Sequence, residues 1–440
     1  MALNFTFKGG IHVPDSKSYT KDKSVEKAET PNIVYIPLHQ HVGAPCKALV
    51  KKGDIVKIGQ KIGDSEASVS APVHASISGV VKGIEQMYST GGSQTDCIVI
   101  ESDGEEAFDD AYLSYKKSGT LSDEDIENIV REAGIVGMGG AAFPSGTKLR
   151  TSKGSIDAVI LNGAECEPYL TCDHRVMLEK ADKVISGLEI MLDYFQTAKG
   201  YIGIEDNKPD VIEVLTEAAK GHPNIEVISL KTKFPQGDSY RIIDSILDRK
   251  VPQGGRGKDV NSIVNNVGTA MAIAEAVYEG KPLYERVITI TGSGINLPKN
   301  LLVRIGTTIG DVIEQCGGFK GTPGKIISGG PMTGITQFTL DAPITKGTCG
   351  ILILNEEEAK MQKTTPCIKC GKCVDICPVF LEPLYISANS LKDRFEEAEE
   401  LSAMSCIACG SCTYICPSKR PLTESIVHAK NEINMRRKKS

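Results

Sequence analysis

The chain has 440 residues, 40% of them hydrophobic, and a formal net charge of −6. That length exceeds one ordinary core, so several domains are expected, and the hydrophobic share excludes a disordered chain. The acidic balance argues against a nucleic-acid partner, and no apolar run approaches the length of a membrane span. Met1 to Gly10 lacks the apolar stretch of a signal peptide. A cytoplasmic protein with reduced, metal-binding cysteines is therefore expected.

Residues 31–102 read as β structure, with short apolar stretches between turns at Lys52-Gly53-Asp54, Ile58-Gly59-Gln60, Ile62-Gly63-Asp64, Ala71-Pro72 and Ser78-Gly79. The phrases Val50 to Asp54 and Ala71 to Gly79 resemble the biotinyl/lipoyl carrier sandwich, which carries its modified lysine on the hairpin between them. Here that hairpin reads Ser65-Glu66-Ala67-Ser68, without a lysine. Residues 1–110 are accordingly assigned to a docking module rather than a swinging arm. His39, His41 and Cys46 lack a fourth ligand at a sensible interval and are read as structural.

Ser122 should cap a helix whose first turn holds Asp123, Glu124 and Asp125, running to about Ala133 and stopping at Gly134. From there to about 282 the pattern is α/β. Ala158 to Leu161, Gly200 to Ile204 and Ile225 to Leu230 are predicted strands. Val176 to Phe195 and Pro209 to Lys220 are predicted helices. This alternation implies a largely parallel, Rossmann-like sheet. Two segments there carry chemistry. The loop from Gly134 to Lys148 has glycines at 137, 139 and 140 that let backbone N–H groups approach a phosphate, and Lys148 adds a fixed charge. Asn162, Glu165 and Glu167 fall just past a strand, where open α/β sheets bind ligands. The glycine loop follows a helix, so it is no Rossmann fingerprint, and taken alone it is weak evidence. A smaller unit covers 283–355, with a strand at Arg286 to Ile290, a helix at Ile309 to Cys316 and the glycine-rich Ser328-Gly329-Gly330-Pro331.

Residues 360–425 hold two copies of C-x2-C-x2-C-x3-C-P, at Cys367, Cys370, Cys373, Cys377 and at Cys406, Cys409, Cys412, Cys416. This is the ligand run of two-cluster ferredoxins, in which the fourth cysteine of each copy serves the other cluster. One [4Fe–4S] cluster is thus assigned to Cys367, Cys370, Cys373 and Cys416, and the second to Cys406, Cys409, Cys412 and Cys377. Structural zinc needs no interlocked duplication. A charged helix is expected through Lys392 to Glu397, and residues 426–440 are read as a solvated basic tail.

Gly137 to Lys148 resembles the Gly-Arg-Gly-Gly-Ala-Gly-Phe-Pro-x-Gly-x-Lys loop of the NADH-binding flavoprotein subunit of respiratory complex I. Asn162 to Pro168 resembles that family's Asn-x-Asp-Glu-x-Glu-Pro, Gly237-Asp238-Ser239 stands at its Gly-Glu-Glu, and Asn265-Asn266-Val267 matches its Asn-Asn-Val. The following unit resembles the family's soluble-ligand-binding β-grasp domain. The full series, with Gly9 to His12 at its start, resembles the Rnf-C family, a component of the Rnf ion-translocating ferredoxin:NAD oxidoreductase. The implied fold is a multidomain α/β and α+β chain: carrier-like β sandwich, flavoprotein domain, β-grasp, two-cluster ferredoxin.

The resemblance implies that Gly137, Gly139, Gly140 and Lys148 hold the phosphate of a non-covalent FMN. It implies that Asn162, Asn265 and Asn266 bond the flavin, with Gly237 and Asp238 beside it. Glu165 and Glu167 would shape the nicotinamide side as catalytic candidates, and Phe143 would stack on NAD(H). The sequence departs from the pattern at Met138, Ala142, Ala164 and Ser239. The implied function is a peripheral subunit on the cytoplasmic face of a membrane electron-transport complex, linked through the other subunits to ferredoxin. Two alternatives stand beside it: a soluble reductase of the cobalamin-reductase type, and a relay scaffold that binds no NAD.

Overall fold

The computed structural model describes residues 5–113, 121–154, 156–196 and 199–439. Four units succeed one another. In the first, a four-stranded sheet (Ile33–Pro37, Gln94–Ser102, Gly79–Tyr88, Ile55–Val56) faces a three-stranded one (Lys47–Ala48, Lys61–Asp64, Val73–His74). Val34, Ile36, Val56, Ile62, Val73 and Ile98 fill the space between. The turn that a carrier would modify is docked. Arg131 donates to the Ser65 carbonyl at 3.1 Å, and Thr147 and Arg150 donate to Ser68 at 3.0 and 3.1 Å. The sandwich is thereby fastened to the helix that follows the glycine loop.

The second unit is a four-stranded, all-parallel sheet in the order Ile225–Leu230, Lys199–Glu205, Ala158–Asn162, Ser262–Asn266. The strands Ala158–Asn162 and Ser262–Asn266 are buried on both sides. Val159 and Leu161 point into one core with the helices Ala181–Phe195 and Val267–Glu279, while Ile160 meets Ile242 and Ile243 of the helix Ser239–Leu247. The first strand lies between the second and the fourth, so the chain reverses direction across it. That is a topological switch point, where open α/β sheets form their ligand crevice. The helix Asp123–Glu132 has the expected capping box, with Ser122 and Asp125 bonding reciprocally. The single helix expected over 176–195 is instead two, Cys172–Glu179 and Ala181–Phe195. Lys180 adopts φ −136°, ψ 32° between them, which lets the first helix turn toward the third unit.

The third unit is a six-stranded mixed sheet: Val25–Lys27, Lys299–Arg304, Glu285–Thr291, Gly350–Asn355, Pro323–Ser328, Ile335–Thr336. Its edge strand Val25–Lys27 comes from the N-terminal stretch and runs parallel to Lys299–Arg304. The stretch from Phe5 to Thr20 also lies outside the sandwich, on the second unit, with Ile11 bonded reciprocally to Phe234 at 2.8 and 2.9 Å.

The fourth unit is helical and carries both cysteine loops. The expected charged helix begins only at Phe395, because Asp393 takes φ +56° and ends the preceding turn. The expected tail is a helix, Leu422–Lys439, whose Ile426, Ala429 and Ile433 pack with Ile386 and Phe395. Apolar residues spaced by three and four make it one wall of this domain's core. Among the described residues no helix is long and apolar enough to cross a membrane.

Candidate functional site

At the switch point the ends of two strands lie side by side, with Asn162 paired to Asn266 and Leu161 to Asn265. Asn162 donates to the Gly237 carbonyl at 2.7 Å and accepts from the Ala164 amide at 3.2 Å. Asn266 caps the helix Val267–Glu279 by accepting from Gly268 at 2.8 Å, and it donates to Asp173 at 2.6 Å. Asn265 faces Lys148, whose amine lies 3.1 Å from its Oδ1 and also donates to the Val264 carbonyl. Lys148 has no anionic partner among the described residues, and burial lowers its pKa to about 8. A half-buried amine with only carbonyl partners fits an anionic ligand group.

The glycine loop closes one side. Gly137 donates to the Phe143 carbonyl at 2.9 Å, tying the loop into a tight turn. A Cβ on Gly139 would stand 2.8 Å from the Asn266 amide nitrogen, so only glycine lets the loop approach that residue. Gly140 is open. Met138, standing where the resembled loop has arginine, is buried and holds Thr269 through its amide at 2.9 Å. Lys148 and Phe143 border a cleft of about 380 Å³ together with Thr151, Tyr240, Ile243 and Arg256, a size proper to a small-molecule site. Tyr240 and Ile243 carry no ligand pattern in the sequence; only folding brings them here.

The two acids have other partners. Glu165 pairs with Lys17 at 3.6 Å, both side chains being 4% exposed, and accepts from the Asp173 amide at 2.7 Å. Burial and the Glu165 charge raise Asp173 to about 8. Beneath this loop the buried Lys208 donates to the Ala164 carbonyl at 2.6 Å and pairs with Glu205 at 3.3 Å. Glu167 reaches the third unit, accepting from the Met332 amide at 3.1 Å and from the Thr333 hydroxyl. Asp238 caps the helix Ser239–Leu247, accepting from Tyr240 and Arg241 at 3.1 and 3.2 Å. Gly237 donates to Cys166 at 3.2 Å. Nothing in the local sequence marked Lys17 or Lys208 as members of this network.

In the helical unit, Cys367, Cys370, Cys373 and Cys416 line one socket. Burial raises the Cys406, Cys409 and Cys412 thiols, and Cys377 lies within electrostatic range of all three. The quartets are crossed: each takes one cysteine from the other copy. Four cysteines around one socket are the donor set that a [4Fe–4S] cubane takes. The second quartet faces the crevice. Arg241 donates to the Pro378 carbonyl, Gly10 donates to Ile376 at 2.7 Å, and Gly410 abuts the Met332 carbonyl.

The cleft runs along Ser262 to Val264 of the fourth strand, and Asn162, Asn265 and Asn266 at the strand ends are not among its lining residues. A parallel sheet with such a cleft, joined to a paired-cysteine domain, has the build of an iron–sulfur flavoprotein. Comparison with known proteins agrees unit by unit. Residues 5–105 match the RnfC barrel sandwich hybrid domain, 130–275 the Nuo51 FMN-binding domain, 287–336 the SLBB domain and 359–417 the 4Fe-4S dicluster domain. The chain is 48% identical over 438 residues to the C component of the Na(+)-translocating ferredoxin:NAD(+) oxidoreductase complex of Acetobacterium woodii, covering 99% of this chain and 98% of that one. It is 48% identical over 396 residues to the proton-translocating counterpart of Clostridium ljungdahlii, covering 90% and 86%. It is 38% identical to the corresponding component of the ion-translocating oxidoreductase complex of Rhodobacter capsulatus, covering 98% and 84%. The chain belongs to the RnfC family of ion-translocating oxidoreductase complexes, as its motifs implied.

Proposed function

We propose that the chain is a peripheral subunit, on the cytoplasmic face, of a membrane-bound ion-translocating ferredoxin:NAD oxidoreductase. In this reading it exchanges a hydride with NAD(H) through FMN and relays electrons through two [4Fe–4S] clusters. When bound, the flavin converts a two-electron exchange into single electrons, and the clusters carry those one at a time.

The chain's own residues do the positioning. Lys148 offers a cation to the FMN phosphate beside the amides of the glycine loop. Asn162, Asn265 and Asn266 present carboxamides at the crevice, each already oriented by a second hydrogen bond. Phe143 supplies a ring at the cleft wall for the nicotinamide. Glu165 and Glu167 support the site as positioning residues: they hold the loop after Asn162 to Lys17 and to the third unit.

The observation that carries the reading is the contact between the two redox units. Helix Ser239–Leu247, capped beside Gly237 at the crevice, reaches Pro378 next to a cluster cysteine through Arg241. Anaerobic purification with FMN, iron and sulfide counted per chain tests it. One flavin, about eight irons, NADH bleaching of the chromophore and co-purifying integral subunits are expected. A chain without flavin or bleaching is a relay only, and one without integral subunits is a soluble reductase.

A further inference from the structure

The two cysteine copies share one backbone. Lys369 and Ala408 sit at φ 52° and 54°, and Gly371 and Gly410 at 77° and 79°. In each copy the amide two residues on donates to the first cysteine sulfur at 3.4 Å. Their side chains differ sharply. From Cys406 to Cys416 no residue is charged. Around the other socket, 361–373 carry Lys363, Lys369 and Lys372, and 416–421 carry Lys419 and Arg420, with no acid in either stretch. Among the described residues none of these five cations finds an ion-pair partner or a side-chain hydrogen bond, in a chain whose net charge is −6.

They form one rim. Thr365 donates to the Ser418 carbonyl, Ser418 to Pro366 and Thr364 to Lys419, each at 3.0 Å, which holds the two stretches together. Lys369, Lys372 and Arg420 line the socket itself. Cys367 and Cys370 are exposed, and Ile368 between Cys367 and Lys369 is 68% exposed. A cubane held by four thiolates is itself anionic and offsets part of this charge, but Lys363 and Lys419 do not line the socket and remain for an anionic surface to meet.

We propose that this rim is the docking face for an acidic one-electron carrier domain of a neighbouring subunit. The inference rests on the cluster reading above and adds the partner's chemistry and its contact residues. The face is charged, with Ile368 exposed between two ligand-loop residues and Met361 exposed at the start of the stretch. That is the make-up of a brief redox encounter, steered by charge and released quickly, and not of a permanent apolar interface. An anionic membrane surface would also attract five cations, but it would bury the accessible socket against a surface that can neither give nor take an electron.

The test uses the intact purified complex. Carbodiimide, which joins amines to carboxylates in contact, is expected to link Lys363, Lys369, Lys372 or Lys419 to Asp or Glu of a subunit that itself holds a redox group. The charge reversals K369E/K372E/R420E should slow association of the cluster-loaded full chain with that subunit about 10- to 100-fold at low salt and flatten its salt dependence. K363E/K419E, outside the ligand loop, should act in the same direction while the EPR cluster signals stay unchanged. A cluster-loaded chain whose lysines link to nothing, or to a subunit without a redox group, overturns the proposal. So does salt-sensitive sedimentation with phosphatidylglycerol vesicles that the reversals abolish while association with the carrier is untouched. A wild-type chain without a cubane signal instead sinks the cluster reading beneath it.

Discussion

The two cysteine loops have the same spacing, nearly the same backbone and like N–H to sulfur bonds, yet they occupy different surroundings. The loop starting at Cys406 is uncharged and packed, with Gly410 against Met332, whose amide is held in turn by Glu167 of the flavoprotein unit. The loop starting at Cys367 is exposed and ringed by free cations. Duplication supplies two equivalent ligand sets. Packing sets one against the second and third units and leaves the other exposed. Beyond that shared bond the second quartet also has the Leu381 amide on Cys377 and the Ser411 and Thr423 hydroxyls at Cys409 and Cys412, so hydrogen bonding, burial and nearby charge all act to separate the two potentials.

The proposed crossed ligation gives the largest effect. Cys377→Ala should abolish the cluster of Cys406, Cys409 and Cys412 and spare the other, seen as about four irons lost and one EPR signal retained. Loss of the Cys367 cluster instead would reverse the assignment. Glu167→Ala should come next. It leaves the Met332 amide and the Thr333 hydroxyl without their carboxylate, costing about 2–4 kcal/mol in chemical unfolding. It should broaden only the inner cluster's EPR signal, and equal broadening of both would deny the inner–outer distinction.

The glycine pair makes the comparison internally controlled. Gly371→Ala meets no neighbour within 4 Å and pays only for its left-handed backbone, about 1–2 kcal/mol. Gly410→Ala carries the same strain, and its Cβ would lie 2.8 Å from the Met332 carbonyl, so the loss should be about 2–4 kcal/mol. Equal losses would mean that the two loops are not differently packed.

Lys148 contrasts with the outer lysines because it is a cation held away from water. Lys148→Ala should weaken FMN binding about 10- to 100-fold, a loss of about 1.5–3 kcal/mol measured by flavin fluorescence. The charged form is the one that binds phosphate, and its pKa is lowered to about 8. Wild-type affinity should therefore hold below that pH and fall as pH rises through it, at most tenfold per unit. The variant should show no such fall.

Much of the architecture is legible in the chain. Strand Ile225–Leu230 spans the expected residues, and Ser122 with Asp125 caps the expected helix. Asn162, Asn265 and Asn266 stand together at the ends of two paired strands. Other features are not legible. The break at Lys180 has no glycine or proline to announce it, and Val25–Lys27 finds its sheet almost three hundred residues later. Glu165 and Glu167 look like free acids in a ligand loop until Lys17 and Met332 are found beside them.

The division has a physical cause. Ligand spacing, caps and strand periodicity depend on residues a few positions apart, whose geometry the covalent chain already restricts. The sequence alone therefore determined two iron-binding loops and a phosphate-tolerant turn. Which loop turns inward, and which acids are paired, depends on contacts between residues 150 or more positions apart. Burial and pairing set those charges, and both exist only once the units have packed.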